Sequence, residues 1–103
     1  MRWTHRLSYV LGGAFLANGI PHFVTGSTGH PLQSPFASPP GVGLSPALVN
    51  VLWGAFNFAM GYVLLAKVGD FQIRRTAHAA AAGLGALIAA TVTALAFARF
   101  YGG

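Results

Sequence analysis

Four histidines, one acidic residue and no cysteine are the strongly reactive side chains of this 103-residue chain. The acidic residue is Asp70, so catalysis by paired carboxylates is impossible within one chain. The lack of cysteine removes disulfides, thiolate metal sites, iron–sulfur clusters and thiol nucleophiles. A serine triad needs a base steadied by an acid, and the serines between residues 25 and 46 have none near them. Cation-coupled transport ordinarily places a carboxylate inside the membrane. Asp70 instead sits among Lys67, Arg74 and Arg75, where it reads as a solvated loop charge. The expectation is therefore no catalytic residue, no metal and no cofactor.

The polar residues that remain fall at regular spacings. Ala14, Asn18 and His22 stack at i, i+4 and i+8 on one helix side. Asn50, Gly54, Asn57 and Gly61 follow spacings of four, three and four, which puts them within an arc of about 60°. Asn18, His22, Asn50, Asn57 and Thr93 form a candidate ligand-binding polar pocket. The alternative role for these groups is hydrogen bonding between neighbouring helices, worth roughly 0.6–2 kcal/mol each. His5 and His78 share one end of the chain's segments, and His22 and His30 the other. Such pairs are what axial haem ligation requires, but alanine-rich helix sides imply close contact rather than a gap for the macrocycle.

These residues sit in segments of unusual composition. Hydrophobic residues make up 54% of the chain and charged residues 7%, against roughly 25% charged in a soluble domain. No Lys, Arg, Asp or Glu occurs between Arg6 and Lys67, or between Arg75 and Arg99. A charge at mid-membrane costs about 2.5–3.5 kcal/mol, so such gaps suit a bilayer. Apolar stretches at about 7–24, 47–66 and 76–98 each approach the ~20 residues that span its hydrocarbon core. The fold class expected is all-α: an integral membrane protein with three transmembrane helices in one domain. Pro21 is positioned to kink or stop the first helix. Arg2 and Arg6 before the apolar run 7–20 resemble a signal peptide. Ala17-Asn18-Gly19 is a poor cleavage site, so the run is expected to stay as a signal-anchor.

The net charge of +5 comes from only six Lys and Arg at segment ends, which does not make a nucleic-acid face. Five of the six flank the first segment's start or join the second to the third. The positive-inside rule makes that side cytoplasmic, with the C-terminus outside. Arg99 then lies outside, beside Phe100 and Tyr101. The outer loop at about 25–46 holds five prolines and four glycines without a charge, which excludes a regular helix or central strand. Its Leu32, Phe36, Val42 and Leu44 suggest an ordered cap rather than a linker.

Small residues mark the helix-packing sides. Gly54 and Gly61 do so on the second segment, and Ala82, Gly85 and Ala89, with His78, Thr93 and Ala96, on the third. Leu52 and Phe56, and Leu84, Leu87, Ile88 and Leu95, occupy the opposite sides. Small residues let helix backbones approach closely in lipid, so the two sides are expected to face each other or copies of themselves.

The run Asn18-Gly19-Ile20-Pro21-His22-Phe23, with Ser34-Pro35-Phe36, Pro39-Pro40-Gly41-Val42-Gly43 and residues 49–57 (Val-Asn-Val-Leu-Trp-Gly-Ala-Phe-Asn), resembles a group of uncharacterised small bacterial inner-membrane proteins. The resemblance covers roughly residues 9–65 and implies location, not activity. A helix ending Gly19-Ile20-Pro21-His22-Phe23 before a loop and a glycine-bearing helix is also similar to DoxX-like membrane proteins, which usually have four helices. Residues 49–54 resemble the asparagine-bearing helix of small fluoride channels. The serine- and threonine-rich broken helix that follows there is absent here, so no functional residue carries over.

The leading expectation is a non-enzymatic structural or accessory subunit or homo-oligomer of the inner membrane, its partners the lipid bilayer and other membrane helices. The alternatives are an oligomeric passage for a small neutral molecule or anion, lined by Asn18, Asn50 and Asn57, and haem binding.

Overall fold

The computed structural model describes residues 3–102; Arg2, counted in the charge pattern above, lies outside them. Among the described residues three helices are long and apolar enough to cross a membrane: α1 (Trp3–Ser27), α2 (Ala47–Tyr62, continued to Val68) and α3 (Thr76–Tyr101). The bundle measures 41 × 24 × 22 Å, and its long axis matches the ~40–45 Å of a bilayer with its headgroups.

α1 does not stop at Pro21; it runs on to Ser27. The lost intrahelical hydrogen bond is tolerated because tertiary contacts grip the helix on both sides of the proline. The helix ends where glycine allows it. Gly29 adopts φ 83°, its N–H donates to Gly26 O at 3.0 Å, and His30 N–H donates to Thr25 O at 3.1 Å. This is a Schellman cap, with Pro31 barring any continuation. α2 widens at its far end into a π-helical turn, Val63–Val68. Its carbonyls accept from Gly69 N–H and Phe71 N–H before Asp70, at φ 52°, turns the chain towards α3.

α1 lies between the other two helices, which pack along it and scarcely meet each other. The small-residue sides of α2 and α3 therefore face α1, and the expectation that they face each other is corrected. α1 supplies the missing surface. Gly12, Gly19 and Gly26 recur every seven residues, and each lies against Gly61, Gly54 or Ala47, which step by seven in the opposite direction along α2. A Cβ on Gly19 would lie 2.9 Å from Gly54 O, and one on Gly26 would lie 2.6 Å from Ala47 O. A spacing of seven keeps one seam in register along two antiparallel helices.

α3 runs alongside α1 in the same direction, with His78 beside Tyr9 at one end and Phe97 near His22 at the other. Their contact is tightest where a Cβ on Gly13 would lie 1.9 Å from Ala82 O and one on Gly85 1.8 Å from Val10 O. Only backbone fits there.

The segment between α1 and α2 folds back over this end of the bundle. Two short strands, β1 (Leu32–Gln33) and β2 (Leu44–Ser45), pair antiparallel with Leu32 opposite Ser45 and Gln33 opposite Leu44. Ser34 and Ser45 share a hydroxyl hydrogen bond of 2.5 Å, and Gly41 N–H donates to Ser34 O at 2.9 Å. Leu32, Gln33, Ser34 and Ser45 are all buried. No periodicity announces strands of two residues.

Candidate functional site

Two hydrogen-bonded pairs sit between the glycine contacts of α1 and α2. Asn57 Nδ2 donates to Trp53 O at 2.8 Å, leaving its Oδ1 to accept from Asn18 Nδ2 at 3.0 Å. Nearer the loop, Asn50 Nδ2 points at three carbonyls: Leu32 O (3.1 Å), Ser45 O (3.1 Å) and Pro46 O (3.3 Å). That orientation makes Asn50 Oδ1 the acceptor for His22 Nδ1, 2.7 Å away. In the neutral ring the proton is thus on Nδ1 and the lone pair on His22 Nε2. Asn50 is 0% exposed and ties α1, α2 and both strands of the hairpin together.

α2 and α3 diverge in front of these pairs and leave a cleft floored by α1. Its deeper part, about 350 Å³, is lined by Ala14, Asn18, Trp53, Asn57, Ala89 and Thr93, with Phe15 and Val92. The part beneath the loop, about 360 Å³, shares Asn18, Trp53 and Thr93 and adds His22, Gln33 and Phe97 among others. Tyr101, at the end of α3, donates its hydroxyl to Gln33 Oε1 at 2.9 Å and so joins the loop to the third helix.

The chain matches no protein-family model, no curated protein and no solved structure. The resemblances above therefore rest on the quoted residues.

Asn18, His22, Asn50, Asn57 and Thr93 all lie at or behind this cleft, in different states. Asn50 is saturated and faces the protein. Thr93 Oγ1 donates back to Ala89 O at 2.7 Å, so its hydroxyl is half used within its own helix. Asn18 and His22 reach the cleft wall. Gly54, Gly61, Ala82 and Gly85 lie at the interfaces with α1, whereas Ala89 lines the cleft. His30 is exposed and bonds Thr28, while His5 and His78 line a separate cavity at the opposite end. Among the described residues no three His, Asp or Glu side chains gather as metal ligands.

Trp53 was not among the residues singled out from sequence, yet it forms the cleft wall. Its Nε1 is the one buried side-chain donor without a partner among the described residues. Its ring lies 6.4 Å from that of His22 and 5.1 Å from that of Phe36. The signal was present: Trp53 falls three residues after Asn50 and four before Asn57, on the same side of the helix.

Proposed function

We propose that this protein is a non-enzymatic accessory subunit or homo-oligomer of a bacterial inner membrane, crossing it three times with the N-terminus in the cytoplasm and the C-terminus outside. In this reading the cleft between α2 and α3 receives a helix from another chain. The observation that carries it is the polar wall of a groove that would open sideways into lipid. Hydrocarbon tails cannot hydrogen-bond, so an intramembrane polar surface is ordinarily turned towards protein or water. Asn18, the lone pair of His22 Nε2 and the ring of Trp53 belong to that wall, while the unpartnered Trp53 Nε1 is itself buried. A serine or threonine hydroxyl both donates and accepts, which suits the Asn18 amide and the His22 acceptor. The outer sides of α2 and α3 expose Leu48, Leu52, Phe56, Leu87, Ile88 and Leu95, which suits lipid.

A passage lined by Asn18, Asn50 and Asn57 is less well supported, because every hydrogen-bonding group of Asn50 is already engaged. Mild extraction from native membranes, followed by identification of what co-migrates, tests the subunit reading. A partner protein or a defined oligomer is expected; a lone monomer would overturn it. The chain has no cysteine, so a single Val92→Cys change at the cleft gives a clean cross-linking site for whichever helix occupies it.

A further inference from the structure

The opposite end of the bundle holds a cavity of about 460 Å³ lined by His5, Tyr9, Asp70, Arg74, Arg75 and His78, with Gly69 and Gln72. It differs in character from the cleft, since most of its lining groups are polar or charged. We propose that it is a binding site for a phosphate group.

His78 carries the argument. The ring is 8% exposed and is held between aromatic neighbours, 4.5 Å from the Tyr9 ring and 6.0 Å from that of Phe71. Gln72 N–H donates to Nδ1 at 2.9 Å. A nitrogen that accepts a hydrogen bond has no proton, so this ring is neutral and its proton is on Nε2. Nε2–H has no partner among the described residues, and the ring that bears it lines the cavity. The ring is held in place while this N–H stays open to an acceptor in the cavity.

The surroundings select an anion. Arg74 and Arg75 line the same cavity, and the one carboxylate present, Asp70, cannot neutralise both. α3, 26 residues long, begins there without a side-chain cap and without an acid in its first turn. Its leading N–H groups and the positive end of its dipole are therefore uncompensated. Guanidinium forks, backbone N–H groups and a neutral imidazole donor together suit the several oxygens of a phosphate better than the two of a carboxylate. Tyr9 fixes the cavity floor by donating its hydroxyl to Gly69 O, and Gly69 packs too closely on Ser8 and Tyr9 to accept a side chain.

The phosphate could belong to a lipid headgroup at the membrane surface or be free in solution, and one experiment separates the two. The whole chain, labelled with ¹⁵N, is placed in phosphatidylcholine nanodiscs and titrated with phosphatidate or with inorganic phosphate. The signals followed are His78 Nε2–H and the Thr76 and Ala77 amides. Saturable shifts with phosphatidate alone assign a lipid headgroup; shifts with both assign phosphate as such. Shifts with neither overturn the proposal. The double variant R74Q/R75Q should bind about tenfold or more weakly, and unchanged binding in a folded double variant also overturns it. Asp70→Asn keeps a residue type that tolerates the φ of 52° there and should tighten binding a few-fold. No tightening counts against the site even if the double variant fails to fold. The assay reads a single chain, so its outcome is independent of whether the cleft takes a partner helix.

Discussion

His22 on the first helix donates to Asn50 on the second across 2.7 Å, and through Asn50 it is linked to both strands of the hairpin. Replacing Asn50 with Leu removes four hydrogen bonds and takes this partner from His22 and from the Leu32 and Ser45 carbonyls, while Pro46 O keeps the backbone N–H of residue 50. The expected loss is about 2–4 kcal/mol, larger than the ~0.6 kcal/mol average for an intramembrane side-chain bond. Unfolding in mild detergent measures it, and the loop should become protease-sensitive before the helices do.

The Asn18–Asn57 bond is a simpler case. A double-mutant cycle with Asn18→Ala and Asn57→Ala should give a coupling of about 0.5–1.5 kcal/mol. A coupling near zero would mean that the amides do not meet.

Gly85 and Gly83 are two residues apart and should respond in opposite ways. Gly85→Ala drives a methyl against the Val10 carbonyl at 1.8 Å and should cost about 3 kcal/mol or detach α3. Gly83→Ala meets nothing within 4 Å and should stabilise the helix by roughly 0.4–1 kcal/mol. Thermal unfolding of the two variants side by side decides.

Reporter tags at the two chain ends should fall on opposite membrane faces, with the C-terminal one outside, as the placement of Lys67, Arg74 and Arg75 predicts. Both tags on one face would break the three-span arrangement.

Much of the helical framework was legible because charge is absent over long stretches, and that signal is strong. The helix ends were less so. Pro21 suggested an early stop, but the Gly29 cap lies outside the apolar stretch that drew attention to the first segment. The packing partners were misassigned for a definite reason. Gly54, Gly61 and Gly85 were read as seams, while Gly12, Gly13, Gly19 and Gly26 on α1 were not, although a seven-residue glycine repeat is visible in the sequence. Asn18, His22, Asn50 and Asn57 stood out by their spacing, and the structure places them at or behind the cleft. The saturation of Asn50 was not, because its partners are backbone carbonyls of a hairpin that no pattern foretells.

Because α2 and α3 scarcely meet and both pack along α1, the helices make two contacts joined by one rod, with the Tyr101–Gln33 hydrogen bond as a further tie between α3 and the hairpin. Breaking the seam with α3 should leave α1, α2 and their hairpin as an intact two-helix unit. The third helix would then swing on the short connection that precedes Thr76 to widen or close the groove, a hinge supplied by connectivity alone.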